Sequence, residues 1–168
     1  MLKGVLAGPA RHAIPQYRRF EAEARSDGAR FIEAEHMLLA IAADADDQAG
    51  KLLVEAGLDH ERLAAALRDE RRESLAFAGM KPLAQGSVQM READRTVFLG
   101  TSAKAALKRA LHEQHRERAA RRGRIGSRDL LIGILQAELG TVPRALSLAG
   151  VDRDALVARA RAGVAQPC

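Results

Sequence analysis

Apolar residues recur along most of the chain three and four positions apart, the period of helices with a buried face. From Ala34 to Ala43, Met37, Leu38 and Ile41 fall one turn apart with Leu39 beside them, and this two-sided apolarity predicts a buried helix. Upstream, Pro9 suits the first turn of a helix running to about Ala24, which Pro15 kinks or delays, and Ser26, Asp27 and Gly28 interrupt the pattern. Downstream, an aspartate-rich loop from Asp44 leads to a short helix from about Ala49 to Glu55, with Gly57 placed to end it. Asp59 is positioned to cap a fourth helix to about Arg72, with Leu63 and Leu67 facing inward.

The plan then repeats. Shifted by 93 residues, the chain aligns Ile32, Leu38, Ile41 and Leu53 with Ile125, Leu131, Ile134 and Leu146. Ala56, Gly57, Asp59, Leu63 and Ala65 align with Ala149, Gly150, Asp152, Leu156 and Ala158, giving nine ungapped identities over 34 positions. Helices are accordingly predicted from about Ser102 to Arg121, Ser127 to Ala137, Val142 to Leu148 and Asp152 to Ala162. The chain reads as one domain over 1–168, with repeat 1 at about 9–74, a connector at 75–100 and repeat 2 at about 101–163. The connector is too long to be structureless in a compact domain, so Leu75, Phe77, Met80, Leu83, Val97 and Phe98 are predicted to pack it against the helices. The tail beyond Gly163 is predicted to fray.

Composition agrees with an all-α fold. The chain has 34 alanines and 21 leucines but five aromatic residues in 168, which disfavours a sandwich or barrel. Cys168 is the single cysteine, so neither an intramolecular disulfide nor a thiolate metal cluster can form. No signal-peptide core and no apolar run near the roughly 20 residues of a membrane span is present, and a cytoplasmic protein is expected.

Two tandem four-helix copies, with Ile32, Glu35, His36, Met37, Leu38 and Leu39 opening the second helix and an Ala-Gly-aliphatic-Asp string in each copy, resemble the Clp repeat. That repeat builds the N-terminal domain of the Clp/Hsp100 unfoldases, and the likeness to the ClpC type covers about residues 9–162. The resemblance implies an all-α, pseudo-twofold domain that recruits substrates and adaptors. No Gly-x-x-x-x-Gly-Lys-Ser/Thr loop occurs and neither ATPase module fits in the remaining residues, so a stand-alone recognition domain without a motor is expected.

The resemblance also implies a ligand site in each copy. In ClpC-type domains the Glu of a Gly-Thr-Glu-His run helps bind phosphoarginine, with helix-start amides holding the phosphate and the carboxylate pairing with the guanidinium. Here the motif is split. The first copy keeps Glu35 and His36 but has Glu33 and Ala34 in place of Gly-Thr, and Glu33 would repel a phosphate. The second keeps Gly126 and Ser127 but has Arg128 and Asp129 in place of Glu-His, removing the guanidinium partner. Glu35, His36, Ser127 and Arg128 are the candidate ligand residues. The alternatives are that Glu35 and Asp129 complement the positive ends of their helices, and that Arg128 holds an anion or reaches solvent.

The formal charge of +5 is unevenly divided: Phe31 to Ser74 carries −6, and Lys104 to Arg128 carries +7. Arg116, Arg118, Arg121, Arg122, Arg124 and Arg128 form a dense basic run, which supports an alternative as a nucleic-acid-binding regulator, but the run contains no aromatic residue to stack on a base. A solvated helix face or a contact for an acidic protein is preferred. His112 and His115 stand three apart, whereas the zinc-protease pattern needs four, so no metal and no cofactor are expected. With no nucleophile placed beside a base, the chain is not expected to be an enzyme. The expected function is protein or peptide binding that modulates Clp-dependent proteolysis. The expected partners are substrates, adaptors or Clp unfoldase subunits. A cyclic peptide antibiotic is a further candidate, which the chain would sequester.

Overall fold

Asp47, Asp59 and Asp152 each accept a backbone N–H from the helix they precede, at 2.9, 2.8 and 2.9 Å, so three of the turns between helices are set by local sequence. Gly57 and Gly150 adopt the left-handed conformation at equivalent places in the two copies. The residue after each glycine, Leu58 or Val151, donates back to Leu53 or Leu146, closing the helix in the same way. These marks frame the computed structural model of the protein, which describes residues 14–80, 97–116 and 125–163.

The first copy contains α1 (Tyr17–Ser26), β1 (Phe31–Ile32), α2 (Ala34–Ala42), α3 (Gln48–Glu55) and α4 (His60–Phe77). The second contains β2 (Phe98–Leu99), α5 (Thr101–Arg116), α6 (Ser127–Leu135), α7 (Thr141–Leu148) and α8 (Arg153–Ala162). The fold is all-α, with four helices from each copy among the described residues. The two short strands form a parallel bridge with Phe31 opposite Phe98 and Ile32 opposite Leu99. Gly100 N–H donates to the Ile32 carbonyl at 2.8 Å, so the bridge fixes the start of α5 beside the start of α2.

α2 and α6 are the central helices and touch each other, which explains why both are apolar on more than one side. Met37, Leu38, Ile41, Leu130, Leu131, Ile132 and Ile134 are fully buried between them and the surrounding helices. Burying each such side chain contributes about 1.5–3 kcal/mol before the entropy of ordering is subtracted. α6 also crosses α5 closely at Gly133, where an added Cβ would lie 2.4 Å from the Ala106 carbonyl oxygen and 2.8 Å from Ala110 N. Charged ties join the copies at the periphery. Arg144 Nε donates to the buried Glu70 at 2.6 Å, and Arg159 Nη2 to Glu55 at 2.6 Å.

Two parts of the chain differ from the sequence expectation. α4 continues past Arg72 to Phe77, because Glu73, Ser74, Leu75 and Ala76 tolerate a helix and no breaker occurs before Gly79. This extension carries Phe77 and Met80 away from the core: Phe77 is 97% exposed and Met80 is also exposed. At the other end, Val97 is buried while Phe98 is half exposed on the bridge. Leu83 and the rest of 81–96, the basic run at 117–124 and the tail from 164 lie outside the described residues.

Candidate functional site

The starts of α2 and α5 cap each other. Ser102 Oγ accepts the N–H of Ala34, the first residue of α2, at 2.8 Å. The same hydroxyl donates to Glu33 Oε2 at 2.5 Å, and Glu33 Oε2 also accepts the Ser102 N–H at 2.9 Å. A carboxylate from one copy thus occupies the amide end of a helix in the other, where the positive end of the dipole favours it. The arrangement needs Gly100, since a Cβ there would lie 1.9 Å from Glu33 Oε1. Sequence inspection identifies Glu33 as a departure from the family motif but gives no sign of Ser102, which lies 69 residues away.

His36 also serves the helix start. Its Nδ1 accepts the Glu33 N–H at 2.9 Å, which leaves the proton on Nε2, 3.5 Å from Asp27 Oδ2. Arg71 approaches the same aspartate with two nitrogens, at 3.3 and 3.2 Å. The His36 hydrogen bond, partly offset by burial and reinforced by Arg71, holds the Asp27 carboxyl at about 2. Glu35 stands differently. Desolvation raises its pKa, only partly countered by His36 and by Arg71, whose Nη2 lies 3.5 Å from Glu35 Oε1. Glu35 is therefore a mostly buried carboxylate whose nearest described cation is at the limit of hydrogen bonding.

The corresponding place in the second copy is built for another purpose. Gly126 N–H donates to Asp129 Oδ2 at 3.1 Å, so Asp129 takes the role that His36 has at α2. Ser127 is buried in the first turn of α6. Arg128 turns toward the end of α8: its Nε donates to the Ala160 carbonyl at 2.5 Å and its Nη2 to the Arg161 carbonyl at 3.1 Å. A cation at the carbonyl end of α8 is favoured by the helix dipole, which offsets the cost of starting α6 with an arginine. The structure therefore keeps Glu35 and His36 together at one helix start and Ser127 and Arg128 at another, and only Glu35 of the four lines the groove described next.

That groove runs along α5. Its upper part, about 710 Å³, lies between Glu33 to Glu35, Thr101, Ser102 and the segment Gln136 to Pro143, which comprises the α6–α7 loop and the first turn of α7. The lower part, about 720 Å³, follows α5 from Ala105 to His115. Both share Ala105, Arg109 and Gln136, so they are continuous. Arg109 Nε donates to the Gly133 carbonyl at 2.6 Å, and burial lowers the pKa of its guanidinium. Leu139 on the rim is 90% exposed, an apolar side chain without a local packing role. The loop and Arg109 carry no motif; their place in the groove follows from the packing of α5 on α6. Among the described residues no group of three or more His, Cys, Asp or Glu could hold a metal ion, and no helix is long and apolar enough to cross a membrane.

Comparison with known proteins matches residues 18–147 to the family model described as the Clp repeat (R) N-terminal domain. Among solved structures, the N-terminal domain of the caseinolytic protease associated chaperone ClpD from Arabidopsis thaliana superposes with a TM-score of 0.63 at 18% identity. The match covers 90% of this chain and 94% of that one. Likeness at this identity concerns the fold. No curated protein matches the chain by sequence.

Proposed function

Because the chain belongs to the Clp repeat N-terminal domain family, we propose that it is a non-catalytic module that binds protein segments, substrates or adaptors of the Clp system, in the groove along α5. The observation that carries this is the groove itself: it is open, continuous across the junction of the two copies, and bordered by exposed Leu139 and by Glu35, whose desolvated carboxylate lies 3.5 Å from Arg71. From Thr101 to His115 the helix rises about 21 Å. That length matches roughly six or seven residues of extended peptide. Apolar side chains of an unfolded segment would lie against Ala105, Leu139 and Val142, and a cationic one would reach Glu35.

The geometry favours an unmodified segment over phosphoarginine. The Ala34 amide, which a phosphate would use, already donates to Ser102, and the Glu33 carboxylate lies alongside. In the second copy the guanidinium of Arg128 stands where the family has a carboxylate, and it is held by α8. The same bonds tie the Arg128 guanidinium to α8, which counts against the nucleic-acid alternative. A role beside Clp unfoldases supports a cytoplasmic location.

Fluorescence polarisation of a labelled, unfolded model protein titrated with the full chain tests the proposal. Saturable binding should weaken roughly tenfold in a Leu139→Asp, Glu35→Gln double variant, from the loss of an apolar contact and of a charge-assisted bond worth about 1.5–3 kcal/mol. The double variant should keep its thermal stability, because Leu139 is exposed and the Glu35 carboxylate is held at a desolvation cost. Equal binding by both proteins would remove the groove from consideration.

A further inference from the structure

The lower half of the groove differs in charge from the upper. Lys108, His112 and His115 stand on or beside one face of α5, and Arg109 reaches in from the next. Lys104 lies one turn before Lys108, so Lys104, Lys108 and His112 form an exposed stripe at successive intervals of four. Among the described residues none of these basic side chains has a carboxylate partner. His115 bonds through Nδ1 to the Leu111 carbonyl, and Arg109 through Nε to Gly133. The single acid of α5, Glu113, does not neutralise the stripe. It is buried and held at both oxygens by Arg161, at 2.7 and 3.0 Å, with Gln136 at 3.2 Å. Like charges one turn apart oppose each other along a helix, so this face gains when an anionic group lies over it. Between the cations the groove presents Ala105 and Leu111, the latter 42% exposed.

We infer that the lower groove docks an acidic, leucine-bearing segment of a partner protein, with its carboxylates over Lys108, His112 and Arg109 and its aliphatic side chains on Ala105 and Leu111. The inference deepens the protein-binding function proposed above, on which it rests, by naming the chemistry of the segment. Charge complementarity sets that choice. The first copy carries −6 between Phe31 and Ser74 and repels an acidic segment, so α5 is the face that attracts one. A polynucleotide would also meet the cations, but no Phe, Tyr or Trp lines this groove to stack a base, and its apolar wall suits leucine better than a ribose-phosphate chain. Ala105 to His115 spans about 15 Å of helix, so four or five extended residues would occupy it, and further residues would continue toward Glu35.

Three labelled heptapeptides test this by fluorescence polarisation on the full chain. All carry leucine at alternate positions, with Glu, Gln or Lys between. The Glu peptide should bind about tenfold tighter than the Lys peptide at low salt and lose most of that advantage at high salt. Lys104→Glu with Lys108→Glu should weaken the Glu peptide roughly tenfold, while Lys51→Glu on α3, equally exposed, should leave it unchanged. Equal affinity for the three peptides would overturn the inference and leave the groove as a general peptide site. Binding by none of them would overturn it too, and continued binding of the unfolded protein through Leu139 and Glu35 would show that only this inference has failed. A labelled single-stranded oligonucleotide that bound more tightly than the Glu peptide, and lost binding in the same double variant, would assign the face to nucleic acid instead.

Discussion

Removing the Ser102 hydroxyl should destabilise the protein well beyond what its exposed position suggests. Ser102→Ala deletes the acceptor of the Ala34 N–H and the donor to Glu33, while the Ser102 N–H to Glu33 bond at 2.9 Å can persist. Ala34 is buried, so its amide loses its acceptor in a place that water reaches poorly. Loss of a helix cap costs about 1 kcal/mol, and a buried unpaired donor about 1–3 kcal/mol. Together these give about 2 kcal/mol for Ser102→Ala. Glu33→Ala should cost less, about 1 kcal/mol, because its oxygens face the partly exposed amide end of α5 and screening weakens the charge. The two side chains share one hydrogen bond, so the double variant should fall short of the sum by about 1 kcal/mol. Urea unfolding followed by far-UV circular dichroism measures all four corners of this cycle, and Ser102→Thr, which keeps the hydroxyl, should recover most of the loss. Ser102→Ala within about 0.5 kcal/mol of the parent, or an additive cycle, would refute the reciprocal cap.

Three further outcomes are expected. Gly133→Ala should destabilise by about 1–3 kcal/mol despite the better helix propensity of alanine, since its Cβ would press on backbone atoms of α5; an unchanged unfolding midpoint would show that the α5–α6 crossing can relax. Asp27 is held near 2 against an ordinary 3.8, so its stabilisation is present above about pH 4 and lost as pH falls toward 2. Asp27→Asn should therefore cost about 1 kcal/mol at neutral pH, after discounting for partial exposure, and should flatten the acid limb of the stability profile. Restoring Gly and Thr at positions 33 and 34 should let a phosphoarginine peptide bind measurably in calorimetry where the parent gives little heat, because the change removes a carboxylate from the α2 start; equal heats would show that Glu33 is not what blocks the phosphate.

Much of the fold was legible because its determinants are local. Helix period, aspartate caps and the Gly57 and Gly150 stops act within one or two turns, and each can be read from a short window of sequence. The repeat and the family were legible for the same reason, since the aligned strings keep their spacing. The sequence misjudged α4, whose last turn, exposed among the described residues, runs on to Phe77.

The site divides along the same line. That Glu35 and His36 open a helix, and that Glu33 and Arg128 depart from the family pattern, followed from the sequence alone. That Glu33 is clasped by Ser102, that Arg128 closes α8, and that Glu35 alone of the candidates lines the groove along α5 were decided by the tertiary structure. These contacts join residues 69 and 33 positions apart in the cases of Ser102 and Arg161. Periodicity constrains side chains along one helix, but which helix end meets which carboxylate depends on how the two copies pack, and that is set by the combined burial of α2 and α6 rather than by any single stretch of chain.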